Sequence, residues 1–211
     1  MSAATPLVLA HRGASWDAPE NTLPALELAV EQGADYVEFD VRVAPDGQPV
    51  LWHDRLPDPP PPALCTLDEA LDVLRGRVGI AVEIKERKAV DPAVDTLRRH
   101  GVGSGELIVL SFGPRTLEAV RQLRPDVRTV LNRQPRQPAV SAATGCWGVA
   151  LKDALARPRR LSHAHSLGLA TFVFTVNEPT RMRQLAGLGV DGIFTDRPGL
   201  LRETLTARLP R

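Results

Sequence analysis

A chain of 211 residues, 43% hydrophobic and 24% charged, is long enough to bury one full core, and that length is ordinary for a single barrel or α/β domain. Lys and Arg number 26 against 25 Asp and Glu, for a net charge of +1, which excludes a general electrostatic footprint for nucleic acid or an anionic membrane; any anion site has to be local. No run approaches the roughly 18 apolar residues of a membrane span, the start MSAATPLVLAHRG has neither a basic leader nor a long apolar core, and Cys65 and Cys146 lie in no metal-like spacing. Residues 1–211 therefore read as one domain, cytoplasmic and without stable membrane insertion.

In chain order, Leu7 to Ala10 reads as a short strand running into His11-Arg12-Gly13. Asn21 then stands where a helix cap or a site residue would, ahead of a helix with Leu23, Leu26 and Val30 on one stripe and Gly33 as its stop. In YVEFDVRVAPDGQPVLWHD, Tyr36 to Asp54, Glu38 and Asp40 share one face of a period-two strand, an expensive pairing unless something binds it. Pro45-Asp46-Gly47 marks a turn too short for a parallel crossover, so Pro49 to Trp52 folds back antiparallel and returns His53 toward the two carboxylates. Thr66 and Glu69 form a capping box before Leu67, Leu71 and Leu74.

Ile80 to Ile84 is the next strand, carrying Glu83 and leading to Lys85, and Asp91-Pro92 opens a helix stopped at Gly101. Leu107 to Leu110 leads into Ser111-Phe112, and a helix follows that ends before Pro125. Val127 to Leu131, Trp147 to Leu151, Leu169 to Val176 and Val190 to Thr195 read as further strands. Helices lie between them, and a closing helix starts near Gly199. Apart from the hairpin arm, this alternation of about eight apolar strands with helices predicts a (β/α)8 TIM barrel with a β-hairpin extension after strand 2; an open doubly wound sheet is the alternative.

In such barrels the chemistry sits at the carboxyl ends of the strands. His11-Arg12, Glu38 with Asp40, Glu83 with Lys85, Ser111, and Thr175 to Asn177 all fall there. Three carboxylates are oxygen ligands for a hard divalent cation, Mg2+, Ca2+ or Mn2+, while zinc with a histidine ligand fits less well. Three carboxylates, one divalent ion, Arg12 and Lys85 sum to a single positive charge, which a phosphodiester neutralises. His11 and His53 remain as a general acid and base.

The same residues resemble a known family. His11-Arg12-Gly13, Pro19-Glu20-Asn21-Thr22, Glu38-x-Asp40-Val41, Asp46-Gly47, His53-Asp54, Glu83-Ile84-Lys85 and Gly192-Ile193-x-Thr195-Asp196-x-Pro198 are similar to the motifs of glycerophosphodiester phosphodiesterases. The resemblance implies a (β/α)8 barrel with Glu38, Asp40 and Glu83 as metal ligands. It also implies His11 and His53 as the acid–base pair, with Arg12 and Lys85 on the phosphate. Asn21, Ser111, Phe174 and Asn177 complete the candidate substrate contacts. The implied reaction cleaves glycerophosphodiesters to sn-glycerol 3-phosphate and an alcohol, either by direct hydrolysis or after attack of the glycerol 2-hydroxyl to give a cyclic phosphate. A phospholipase D-like or sphingomyelinase-type headgroup enzyme and a silent phosphate-binding barrel are the competing readings.

Two departures from the family pattern concern selection. The family's insertion after His-Asp is reduced here to Arg55 to Cys65, stiffened by Pro59 to Pro62, and Phe174 stands where the family places Trp before Thr-Val-Asn. An open, wet cleft with broad tolerance of the alcohol is expected. His100 reads as favouring a helix C-terminus, His163 and His165 as solvated, and Arg157, Arg159 and Arg160 as a basic surface face.

Overall fold

The computed structural model describes residues 5–135, 137 and 140–207. Among the described residues nine strands run in the order β1 Leu7–His11, β2 Tyr36–Val43, β3 Pro49–Leu51, β4 Gly79–Ile84, β5 Leu107–Ser111, β6 Arg128–Arg133, β7 Gly148–Lys152, β8 Ala170–Phe174 and β9 Gly192–Thr195. Seven α-helices alternate with them: α1 Leu23–Glu31, α2 Leu67–Leu74, α3 Val90–Arg99, α4 Pro114–Leu123, α5 Pro158–Ser166, α6 Pro179–Gly187 and α7 Pro198–Thr206.

Eight strands pair in parallel around a ring, β1-β2-β4-β5-β6-β7-β8-β9, and β9 returns to β1. The sheet is closed, which removes the open-sheet alternative. The hairpin arm is β3, antiparallel to β2 with Val41 opposite Leu51 and Val43 opposite Pro49. Period-two alternation divides the apolar residues into two layers. Leu9, Ala81, Ile108, Val130, Phe172 and Phe194 fill the barrel interior, while Val8, Val37, Phe39, Val82 and Leu131 face the helices. With its interior packed, the barrel can open a site only at the strand ends.

Helix starts follow the sequence chemistry. Pro occupies the first turn of α1, α4, α5, α6 and α7, where its fixed φ suits the helix and its missing N–H is not needed. The capping box at Thr66 and Glu69 is formed in full. Two starts differ from expectation. Thr22, not Asn21, caps α1 by accepting from the Ala25 N–H, because Asn21 takes a left-handed φ of 57° and turns its side chain to β2. Helix α3 begins at Val90 after a 3-10 turn over Arg87–Ala89, so Asp91 and Pro92 lie inside its first turn rather than opening it.

Strand ends also shift. β6 and β7 continue to Arg133 and Lys152, past the expected Leu131 and Leu151, while β8 stops at Phe174 instead of Val176. His100 ties α3 to α2, with Nε2 2.8 Å from Asp68 and Nδ1 3.5 Å from Asp72. His165 is exposed as expected, yet its Nε2 lies 2.9 Å from the Thr171 hydroxyl. None of the described helices is long and apolar enough to cross a membrane.

Candidate active site

Strand register alone brings the central acidic groups together: His11 lies opposite Glu38 across β1 and β2, and Asp40 lies opposite Glu83 across β2 and β4. One carboxylate oxygen from each of Glu38, Asp40 and Glu83 falls within 4.8 Å of the others, and all three side chains are buried, at 3%, 1% and 8% exposure. The chain reverses just after β1. Arg12 sits at φ 60° and Gly13 at φ 83°, and a Cβ on Gly13 would come within 2.5 Å of the Ala25 carbonyl, so only glycine fits there. That turn aims the Arg12 N–H at Glu38 Oε2, 2.9 Å away. Left-handed Arg12 and Asn21 both border the acidic cluster, a common place for stored backbone strain.

Asp40 is the most heavily supported carboxylate. Lys85 Nζ lies 3.2 Å from its Oδ1 and Arg12 Nε 3.1 Å from its Oδ2; the Arg12 contact is an ion pair without hydrogen-bond alignment. Asn21 clasps Asp40 twice, its Nδ2 donating to Oδ2 and its Oδ1 accepting from the Asp40 N–H, each at 3.0 Å. Burial pushes the Asp40 carboxyl up, but Lys85, Arg12 and Asn21 together outweigh it and hold its pKa below the ordinary value. Glu83 is raised by burial and by Asp40, although Lys85 Nζ sits 2.6 Å from its Oε1. Glu38 has no side-chain cation within ion-pair distance among the described residues; burial first and Asp40 second push it up to about 8. Three buried oxygen donors, two of which, Glu38 and Glu83, are pushed toward the neutral form by burial and then by Asp40, are the donor set of a hard divalent cation, and the groups present fit one.

Both histidines are oriented by an aspartate through Nδ1. His11 Nδ1 lies 2.7 Å from Asp196 Oδ1, and His53 Nδ1 lies 2.8 Å from Asp54 Oδ1. An ionised carboxylate only accepts, so Nδ1 carries the proton in each pair and Nε2 is the nitrogen left for the cavity. Burial acts to lower the His11 pKa, but the hydrogen bond to Asp196 and the charge of Glu38 reverse this, and the net shift is upward. Asp196 is raised by burial and lowered further by His11, Asn177 and Ser15, ending below the ordinary value. Asp54 is 84% exposed, so its hold on His53 is screened.

A cavity of 410 Å³ opens over this rim. Of the residues singled out in the sequence, His11, Arg12, Glu38, His53, Glu83, Lys85 and Phe174 line it, whereas Asp40 lies just beneath. Asn21, Ser111 and Asn177 stand behind the wall. Asn21 holds Asp40; Ser111 donates to the Ile84 carbonyl and accepts from the Gly113 N–H. Asn177 Nδ2 donates to Asp196 at 2.6 Å, and its Oδ1 accepts from the Asp196 N–H and the Thr195 hydroxyl. Glu20 pairs with Arg12 at 2.7 Å.

Sequence reading gave no role to Asp196, Asn132 or Lys152. Asn132 Nδ2 donates to Glu83 Oε2 at 2.8 Å while its own Oδ1 is buried without a partner. Both Asn132 and Lys152 line the cavity at the ends of β6 and β7. The strand-end rule that marked Glu83 reaches both once β6 and β7 are given their full lengths.

A rim acidic at its centre, flanked by cations and by two aspartate-held imidazoles, defines a (β/α)8 barrel enzyme suited to acid–base work on an anion. The chain matches the glycerophosphoryl diester phosphodiesterase family over residues 11–73 and 65–200. It is 25% identical to the glycerophosphodiester phosphodiesterase of Caldanaerobacter subterraneus, over 92% of this chain and 96% of that one. To the glycerophosphodiester phosphodiesterase of Bacillus subtilis it is 24% identical, over 93% and 85% of the two chains. The structure of an Oleispira antarctica phosphodiesterase in complex with the product sn-glycerol-3-phosphate superposes with a TM-score of 0.89 at 26% identity, covering 96% of this chain and 98% of that one. This chain belongs to the glycerophosphoryl diester phosphodiesterase family, whose enzymes hydrolyse glycerophosphodiesters.

Proposed function

We propose that residues 1–211 form one barrel enzyme that hydrolyses glycerophosphodiesters to sn-glycerol 3-phosphate and an alcohol, with His11 and His53 as the proton carriers. The single observation that carries this reading is that two imidazoles, each tied at Nδ1 to an aspartate, border a cavity floored by three converging carboxylates. Glu38, Asp40 and Glu83 would hold a divalent cation of the Mg2+, Ca2+ or Mn2+ kind, which supplies charge neutralisation for the phosphoryl oxygens. Arg12 and Lys85 stand beside them and orient the remaining phosphate oxygens. One imidazole takes a proton from the attacking hydroxyl as its oxygen bonds to phosphorus, and the other donates a proton to the alcohol oxygen as the P–O bond breaks.

The attacking hydroxyl is that of water, which gives sn-glycerol 3-phosphate directly, or of the glycerol 2-carbon, which gives a cyclic phosphate that water then opens, and the two courses differ in one measurable way. A 2-deoxy analogue loses turnover if the glycerol hydroxyl attacks and keeps it if water does. The reading itself is tested by following glycerol 3-phosphate release from glycerophosphoglycerol before chelation, after chelation, and after return of Mg2+, Ca2+ or Mn2+. Release abolished by chelator and restored by metal is the expected result. Full activity in protein shown to hold no metal would remove the carboxylates from this role.

A further inference from the structure

Around the ring, β7 stands opposite β2, with three strands between them in either direction. The cavity therefore has two unlike halves. On the β1–β4 side every cation is engaged: Arg12 pairs with Glu20 and Asp40, and Lys85 with Glu83 and Asp40. On the β5–β9 side Leu110, Phe112, Phe174 and Phe194 stand beside the uncharged Asn132, Gln134 and Thr175, and the one ionisable side chain of that lining is Lys152 at the end of β7, which has no carboxylate within 4.0 Å among the described residues. A phosphodiester anchored over Glu38, Asp40 and Glu83 that sends one arm across the barrel brings that arm to an uncompensated ammonium.

Two aromatic rings stand along the same path, Phe112 and Phe174, packed edge to face with centroids 6.0 Å apart. Rings of this kind can hold a quaternary ammonium by cation–π attraction. Here the Phe112 ring is already taken, because Lys85 Nζ lies 5.9 Å from its centroid. A second cation there would meet Lys85 and Lys152 together. The glycerol arm carries only hydroxyls and gains nothing from the free ammonium, whereas an anionic alcohol gains an ion pair.

We propose that the leaving alcohol occupies the β5–β9 side of the cavity and that Lys152 makes this enzyme favour diesters whose alcohol carries a carboxylate or phosphate over those carrying an ammonium such as choline. This rests on the hydrolytic reading above and adds the charge of the substrate to it. An exposed ion pair is worth little, so the bias is a graded one of roughly three- to tenfold between the extremes, within an otherwise tolerant cleft.

The test compares kcat/KM for three glycerophosphodiesters that differ only in the alcohol: choline, its uncharged isostere 3,3-dimethylbutanol, and 3-hydroxypropanoate. Wild type should rank them carboxylate, neutral, choline. Lys152→Met should compress the range and Lys152→Glu should reverse it, and the wild-type spread should shrink in high salt. Equal rates across the three in wild type, choline as the best substrate, or an order unchanged in Lys152→Glu would overturn the assignment of Lys152 while leaving hydrolysis intact. No turnover of any of the three by metal-loaded wild type would instead remove the hydrolytic reading and the inference with it.

Discussion

Asp196 reaches across 185 positions of sequence to accept a 2.7 Å hydrogen bond from His11 Nδ1, joining the residue that ends β1 to the one that follows β9. Ser15 and Asn177 also donate to that carboxylate, so its position is fixed from three directions. His11 is thereby given one tautomer and one ring orientation, which a proton carrier needs before its pKa matters.

In metal-free protein, His11 should titrate above the ordinary histidine value, and Asp196→Asn should bring it down, since burial then acts with less opposition. The raised His11 contributes stability that is complete below about pH 6.5 and lost as pH rises through its folded pKa. The depressed Asp196 contributes stability that is complete above about pH 4 and lost as pH falls through its own. The pair thus stabilises most between these limits. NMR titration of the His11 ring, with thermal unfolding across pH in both proteins, checks both signs. Asp196→Asn should also lower kcat by on the order of 10² or more; a His11 titration unmoved by the substitution would sink the relationship.

His11→Ala and His53→Ala should each lower kcat by roughly 10² to 10⁴ with folding retained, and the wild-type pH–rate profile should be bell-shaped. The two supporting aspartates should differ. Asp54→Asn should cost much less than Asp196→Asn, because Asp54 is 84% exposed whereas Asp196 is 26% exposed and held by three donors. Steady-state kinetics on a substrate with a poor leaving group reads both comparisons.

Glu38→Gln should separate stability from function. Burial and then Asp40 push Glu38 up to about 8, so folding at neutral pH makes it take up a proton, a cost that Gln does not carry, and at pH 7 the metal-free variant should melt at a higher temperature than metal-free wild type. The same change should abolish activity and weaken Mn2+ binding. Calorimetry on both metal-free proteins decides the first half, and a lower melting temperature in Glu38→Gln would mean that the cluster is not self-repelling.

Asn132→Leu, similar in volume, leaves Glu83 Oε2 without its 2.8 Å donor. Metal affinity should fall by roughly 10- to 100-fold, the usual worth of a group that orients a ligand. Isothermal titration with Mn2+ measures it directly, and an unchanged affinity would reduce Asn132 to a cavity wall.

Local signals carried much of this protein into view before its folding was known. The alternation in YVEFDVRV places Glu38 and Asp40 on one face of β2, and the Thr66–Glu69 capping box forms as spaced. What stayed hidden depends on partners far apart in sequence. Asp196 was visible within a motif, but its role requires a histidine at the other end of the chain. Asn21 has the composition of a helix cap, and its left-handed backbone gave that job to Thr22 while its amide went to Asp40. Asn132 and Lys152 were missed through strand boundaries, since β6 and β7 run one or two residues further than their apolar runs suggest. Ser111 sits at a strand end as expected, but the Ile84 carbonyl and the Gly113 N–H engage its hydroxyl.

The closing pair of the barrel, β1 with β9, also sets an order of events. Residues 11 to 85 contain all three carboxylates and both histidines of the site, whereas the carboxylate that holds His11 comes from residue 196. His11 receives its partner only when the last strand docks. The bond that fixes the His11 ring therefore exists only in the closed barrel, where β1 and β9 are paired.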